Sequence, residues 1–369
     1  MVSLLLIHRR LQNLTVGKAV LALILAVAFF NEYLVYTLQS FRWTSVPKDR
    51  NPKDEMVILL VSDPQLIGIQ DEIGFPLGPI IRWDADSYLR KTFYRAYYHT
   101  FPDVVVFLGD IMDEGSKATD SEYQSYFQRF NSIFYETSYA KTIVIPGDND
   151  IGGEGGDVRT FFKVSRFEKH FENLTGVVSH GFIDFLKLDI QMMKDQVLEK
   201  QKVISDVATQ LKAKFRIIVN HESIITKSKS SVYPILRMAQ PNILLSGHWH
   251  LSQMLSCDTC LSDDEDMNNW PYYQRDMANT NAYIDLDFTN LIALSEIMVP
   301  TCSYRMGVPK MGYGVAVINK SGKMKYTVLW LPSRYNLLYV YIVVLAVAAF
   351  VLIINWIFSP VKTRKWPYR

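Results

Sequence analysis

The sequence predicts an α/β domain held between two membrane-spanning helices. Three observations predict it. Apolar runs of strand length alternate with helical stretches through the middle of the chain, the early strand runs stop at acidic, amide or imidazole side chains, and the apolar excess gathers at the two ends. The 39 basic and 37 acidic side chains leave a net charge of +2, which gives no electrostatic footprint for nucleic acid, so none is expected as a partner. Three cysteines among 369 residues are too few for a disulfide-dense scaffold.

The ends come first. Residues 19–38 are apolar apart from Asn31 and Glu32 and are read as a transmembrane helix. The competing reading is a signal peptide cleaved near Ala26-Val27-Ala28. Residues 337–358 carry no charge over 22 positions, and at ~1.5 Å per residue such a helix crosses a ~30 Å hydrocarbon layer. Arg9, Arg10 and Lys18 precede the first span, and Lys362, Arg364, Lys365 and Arg369 follow the second. By the positive-inside rule residues 1–18 and 359–369 are expected in the cytosol and 50–333 in the lumen. Two glycosylation sequons, at Asn173 and Asn319, fit that compartment. Cys257 and Cys260 are expected as a short disulfide loop or as plain thiols, because only Cys302 remains to build a zinc site.

Between the spans, residues 56–61, 103–108, 142–145, 215–219 and 243–245 read as buried strands. Helical spacing is found at 87–100, 121–136, 159–171 and 195–212. The last third turns strand-rich, at 282–288, 292–299, 315–319 and 324–331, with Ser321-Gly322 as a hairpin turn. Trp83, Tyr97, Tyr98 and Tyr313 are kept out of the site because aromatic side chains are more often core.

The chemistry stands at the strand ends. Asp63 and Gln65 follow the first strand, Asp110 and Asp113 the second, and Asp148, Asn149 and Asp150 the third; His221 follows the fourth, and His248 and His250 the fifth. Taken singly, Asp63 or Asp113 would serve as a helix N-cap. His248 and His250, two apart in an extended segment, share a face. In an open α/β sheet binding groups gather outside the carboxyl ends of the strands, and converging carboxylates and imidazoles need a cation to neutralise them. Mixed oxygen and imidazole donors suit Mn, Fe, Zn or Co.

Five blocks in this order, including Gly109-Asp110-Ile111-Met112-Asp113 and Gly147-Asp148-Asn149-Asp150, resemble the calcineurin-like metallophosphoesterase superfamily, closest to its metallophosphoesterase 1 branch. The resemblance implies a β-sandwich flanked by helices and two divalent ions, Mn²⁺ foremost, with Fe or Zn as alternatives. It gives one ion to Asp63, Gln65, Asp110 and His250, and the other to Asp110, Asp148, His221 and His248, with Asp113 standing behind the ligands. Three positions depart from the family pattern: Gln65 stands for His, Asp148 for Asn, and Asn149 for the His that often protonates the leaving group. An amide cannot be a general acid near neutral pH. Asp150 or a metal-bound water is therefore the expected proton donor, and Asn149 is expected to position substrate.

The branch removes an ethanolamine phosphate side branch from glycosylphosphatidylinositol (GPI) anchors. The resemblance thus implies a membrane-embedded phosphodiesterase of the endoplasmic reticulum, its exit sites or the cis-Golgi, with a GPI-anchored protein or GPI glycolipid as partner. The alternatives are a phosphatase of another lumenal phosphoester and, because of Gln65 and Asn149, a metal-binding pseudoenzyme in glycoprotein trafficking.

Overall fold

Continuous Val/Ile/Leu runs become strands covered on both faces. In the computed structural model, which describes residues 16–47, 50–190, 205–262, 270–278, 282–289 and 293–358, every residue of β1 (Glu55–Val61) except the first is buried. All of β2 (Val104–Leu108) is buried as well. These two pair in parallel with each other, and β2 pairs in parallel with β3 (Lys141–Ile145). On the other side of β1 the sheet turns antiparallel through β12 (Gly312–Asn319), β13 (Lys323–Trp330) and β10 (Ile284–Asp287), giving the order β10-β13-β12-β1-β2-β3. The β12–β13 turn falls at Ser321-Gly322, as predicted, with Gly322 at φ +90°.

A second sheet has the order β4-β5-β6-β7-β11-β8-β9. Its centre is parallel: β5 (Ile183–Lys187), β6 (Phe215–Val219), β7 (Ile243–Ser246) and β11 (Leu294–Met298). Antiparallel strands β4 (Gly176–His180), β8 (Gln253–Cys257) and β9 (Tyr273–Asp276) complete it. Alternate residues of the two sheets, among them Ile58, Leu60, Val106 and Leu108 facing Phe185, Ile217, Val219 and Leu245, form one buried layer. This is the expected sandwich. Helices cover its outer faces. The helix Leu77–Thr100 (α1) sets Phe93 against Phe107 and Phe134, and Lys229–Ala239 (α2) buries Val232, Ile235 and Leu236 against the second sheet.

Several elements differ from expectation. The β4–β5 hairpin, the β8–β9 pair and α2 were not predicted; α2 carries Pro234 in its interior, a residue that normally ends a helical reading. The first long helix begins at Leu77 rather than 87. The helical stretch expected at 195–212 lies largely outside the described residues. Cys257 and Cys260 form a disulfide, while Cys302 is free and buried.

The chain divides into two units, the sandwich at Gln39–Pro332 and the terminal segments Met1–Leu38 with Ser333–Arg369. In the terminal unit, Val16–Phe29 is helical and continues through a π turn, Phe30–Leu34, into Val35–Ser40. The second apolar helix is Arg334–Phe358. Both are long and apolar enough to cross a membrane. The polar break at Asn31 and Glu32 is accounted for: Glu32 accepts from Arg334 Nη2 (2.9 Å) and Tyr341 Oη (3.0 Å), and Asn31 Nδ2 donates to the Leu337 carbonyl (3.0 Å). Polar groups in such helices pair with one another.

A candidate dinuclear metal centre

The carboxyl ends of β1, β2 and β3 in one sheet and of β6 and β7 in the other lie together, and each carries its motif there. Asp63, Gln65, Asp110, His248 and His250 all hold positive φ, between 42° and 67°. Non-glycine residues seldom take this conformation, and such strain concentrates at functional sites. Backbone bonds fix the bends: Asp63 and Gln65 N–H donate to the carbonyls of Gly109 and Asp110. Gly109 (φ +92°) must be glycine for a second reason, because a Cβ there would stand 2.5 Å from His221 Nδ1. A Cβ on Gly147 would collide with the Asp110 carboxylate.

Six of the seven expected ligands carry ionisable groups, and these converge. His221 Nε2 lies 3.2 Å from Asp148 Oδ1 and 3.5 Å from Asp110 Oδ1; His248 Nδ1 is 3.3 Å from Asp148 Oδ1, and His250 Nε2 is 3.5 Å from Asp63 Oδ1. His221 Nδ1 donates to the Leu108 carbonyl (2.7 Å), which turns Nε2 toward the carboxylates and makes it the ligating lone pair whenever the ring is neutral. Ligand atoms of Asp148, His221 and His248, and of Asp63, Asp110 and His221, form two groups each within 4.8 Å. The seventh residue, Gln65, turns its Nε2 to Asp110 Oδ2 (3.0 Å) and to His250 Nε2 (3.5 Å), so its carbonyl oxygen sits at the other end of the same flat amide.

The donor set fits metal ions. Asp63 Oδ1, Asp148 Oδ1 and His221 Nε2 are buried and have no hydrogen-bond partner among the described residues, a costly state unless something else satisfies them. Electrostatics agree. Burial pushes the Asp110 carboxyl well up, the charges of Asp148 and Asp63 push it further, and His221 opposes. Burial pulls the His221 imidazole down, yet Asp110, Asp148 and Asp63 raise it to about 10. Buried acid of this density calls for positive charge.

Residues 56–252, over half of the chain, match the family described as Calcineurin-like phosphoesterase. The chain is a calcineurin-like phosphoesterase. It is 32% identical over 185 residues to Metallophosphoesterase 1 of Xenopus laevis, covering 48% of this chain and 43% of that protein. Cell division control protein 1 of Saccharomyces cerevisiae is 32% identical over 143 residues, 37% of this chain and 28% of its own. The Metallophosphoesterase 1 homolog of Drosophila melanogaster is 28% identical over 157 residues, 42% and 40%. The matches thus span less than half the length of these relatives. Among solved structures, a purple acid phosphatase from yellow lupin (Lupinus luteus) has a TM-score of 0.47 at 10% identity, covering 74% of this chain and 52% of that one.

Within this phosphoesterase Asp150 has a different place from the one expected. Its Oδ2 accepts from Gly147 N (2.9 Å) and Ile111 N (3.1 Å), and its Oδ1 from Met112 N (2.9 Å). Buried with three N–H donors around it, the carboxylate ties the second and third motif loops together, although burial raises its pKa to about 6. These partners suit an acceptor that positions loops, so the structure corrects the proton-donor reading. Asn149 sits on the cluster: its N–H donates to Asp110 Oδ1 and its Nδ2 to Asp110 Oδ2, both at 3.0 Å.

Two further carboxylates do for other loops what Asp150 does. Glu114 accepts from the N–H groups of Ile69, Gln70 and Asp71 at 2.8–2.9 Å, fixing the loop after Gln65. Glu296, buried in β11, accepts from Ile224 N, Ile225 N and Ser223 Oγ at 2.9 Å, fixing the loop after His221. Sequence reasoning missed both. The signal for Glu296 was an acid inside an apolar strand, Leu294-Ser295-Glu296-Ile297-Met298. Beside the cluster a cleft of 490 Å³ is lined by Asp113, Ser116, Lys117, Asp148, Asn149 and Glu154 among others. Glu154, also missed, lies in the glycine run Gly152-Gly153-Glu154-Gly155-Gly156, and its hydrogen bond to Asp148 pushes its carboxyl up.

Proposed function

We propose that this chain is a membrane-anchored, metal-dependent phosphodiesterase that removes an ethanolamine phosphate side branch from GPI anchors on the lumenal side of the early secretory pathway. One observation carries the hydrolase reading: acids from one sheet and imidazoles from the other meet with buried lone pairs unsatisfied. Likeness to proteins named Metallophosphoesterase 1 and the two apolar helices support the substrate and the anchoring.

Asp63, Asp110 and His250 would hold one divalent ion and Asp110, Asp148, His221 and His248 the other, with Mn²⁺ the expected metal; Gln65, expected as a ligand, turns its Nε2 to Asp110 and His250 and serves there as a donor to Asp110. Such a pair supplies Lewis acidity and charge neutralisation for an in-line displacement at phosphorus. The protein's own groups do the positioning. Asp110 is gripped by the backbone and side-chain amides of Asn149 and by Gln65, so its two oxygens stay aimed while charge develops nearby. The Leu108 carbonyl holds His221 in one tautomer. Asn149, at the lip of the cleft, offers an amide to a phosphate oxygen without exchanging a proton.

The test is metal content and turnover of the purified full chain beside Asp110→Ala, on an aryl phosphodiester and on a GPI glycolipid. Turnover of both substrates by the wild type alone is expected. Metal without turnover would favour the binding-only alternative, and turnover of the aryl ester without the glycolipid a different phosphoester.

A further inference from the structure

Helix α1 carries large apolar or aromatic side chains on two opposite faces; the inner one meets the sandwich, and the outer one is interrupted midway by Ser87, Arg90 and Lys91. Inward, Ala85, Leu89, Phe93 and Ala96 are buried. Outward, Ile80 (57% exposed), Trp83 (67%), Tyr94 (48%) and Tyr98 (41%) recur at helical spacing, with Leu77 (53%) at the start. Aromatic side chains with polar tips are the residues enriched at membrane–water interfaces.

The chain itself says what lies near. Tyr88 Oη in the middle of α1 donates to the carbonyl of Pro332 (3.0 Å), two residues before the second apolar helix begins at Arg334. In the last turn of α1, His99 Nε2 bonds the Thr44 carbonyl (2.9 Å) and its ring packs edge-on to Trp43, just beyond the end of the first apolar helix at Ser40. Both segments through which the sandwich is tied to the apolar helices are therefore fastened to this one helix. The residues so fastened, Tyr88 and His99, bond to chain that is two and four residues from where those helices begin and end.

We propose that the outward face of α1, carried by Ile80, Trp83, Tyr94 and Tyr98, beds in the interfacial layer of the bilayer those helices would span. The loop from Gln65 to α1, pinned by Glu114, connects this face to the metal centre, so the bedded helix holds the cleft at the level of lipid-borne phosphoesters. The inference rests on the membrane-anchored reading above, but the contact with lipid does not depend on turnover.

The experiment uses the full chain in phosphatidylcholine nanodiscs, with Ile80→Cys, Tyr94→Cys and, as an outward control on β9, Tyr273→Cys, each labelled with an environment-sensitive fluorophore. Tyr273 is 73% exposed, and the free Cys302 is buried and shielded from label. Lipids carrying a nitroxide near the headgroup should quench positions 80 and 94 at least twofold and leave 273 unchanged. Quenching at 80 and 94 no greater than at 273, with all three open to aqueous iodide, overturns the proposal. Protection of 80 and 94 that depends on a second labelled copy, with no quenching by lipid, also overturns it in favour of a dimer face. Failure of hydrolysis would show separately, as absence of turnover on a soluble aryl phosphodiester.

Discussion

The two sheets contribute to the centre unequally. The sheet containing β1, β2 and β3 supplies Asp63, Gln65, Asp110 and Asp148, while the sheet containing β6 and β7 supplies only imidazoles, from His221, His248 and His250. The acidic side is tied down heavily: Glu114 and Asp150 each take three backbone N–H groups beneath it. On the imidazole side Glu296 takes two backbone N–H groups, Gly247 N–H donates to the His221 carbonyl, His248 N–H to Asp63 Oδ2 (3.2 Å), and His221 Nδ1 to the Leu108 carbonyl. Acids that repel one another need fixed backbones to stay close, whereas imidazoles need only their tautomer and direction set. Ions bound between the sheets would then fasten the sandwich at the end where its strands stop.

The comparison breaks most sharply at Asp110, the acid that the proposed arrangement gives to both ions. Asp110→Ala should lower turnover on the order of 10³-fold or more and remove both ions, read by elemental analysis beside kcat. His250→Ala, on the imidazole side, should cost one ion. Equal metal loss in the two variants would mean that the sides are not distinct.

Next come the locks. Asp150→Asn puts an amide among three N–H donors and should cost ~10–100-fold in activity or metal affinity, with roughly 1–3 kcal/mol of stability. Glu296→Gln keeps one acceptor oxygen and should fall at the low end of that range. Denaturant unfolding and metal titration on both variants measure the difference. An Asp150→Asn protein with full metal affinity would deny the loop-tying role given to Asp150.

Stripping the ions tests the fastening itself. At free metal a hundredfold above its Kd, each ion adds about 2.7 kcal/mol to stability. Chelation should therefore lower the melting temperature of the sandwich by roughly 5 °C per ion. A melting temperature indifferent to chelator would show that the sheets hold without them.

How much of this the sequence disclosed follows from the range of each interaction. β1, β2, β3, β6 and β7 were predicted to within a residue or two, because strands buried on both faces are written as unbroken Val/Ile/Leu runs. The motif positions were legible for the same reason, each standing just past such a run. The β4–β5 hairpin was missed although Gly181 marks its turn, and α2 was missed because Pro234 outweighed its apolar spacing. The carboxylate locks could not be read at all. Whether Asp150 gives a proton or accepts N–H groups depends on where Ile111 and Met112 lie, 39 and 38 residues away in sequence. Trp83 and Tyr98 failed in the opposite sense, since an aromatic at helical spacing has the same pattern whether it faces a core or the outside.

The smallest expected effect concerns Asp113, which lines the cleft without joining the ligands. Burial, then the neighbouring charges of Glu114 and Glu72, raise its carboxyl to about 6, with Arg305 opposing. A carboxyl whose folded pKa lies above its unfolded value binds protons more tightly when folded. Its ionised form is therefore penalised in the native state, and that stability is lost as pH rises from the ordinary carboxylate range through 6. Asp113→Asn removes the penalty. In chelator-treated protein it should stabilise the fold by roughly 1–3 kcal/mol at pH 7.5 and leave it unchanged near pH 3.5, where both side chains are neutral. Thermal unfolding at the two pH values checks this. An equal shift at both would mean that packing, not charge, sets the difference, and that the acidic side of the cleft is less strained than the density of its carboxylates implies.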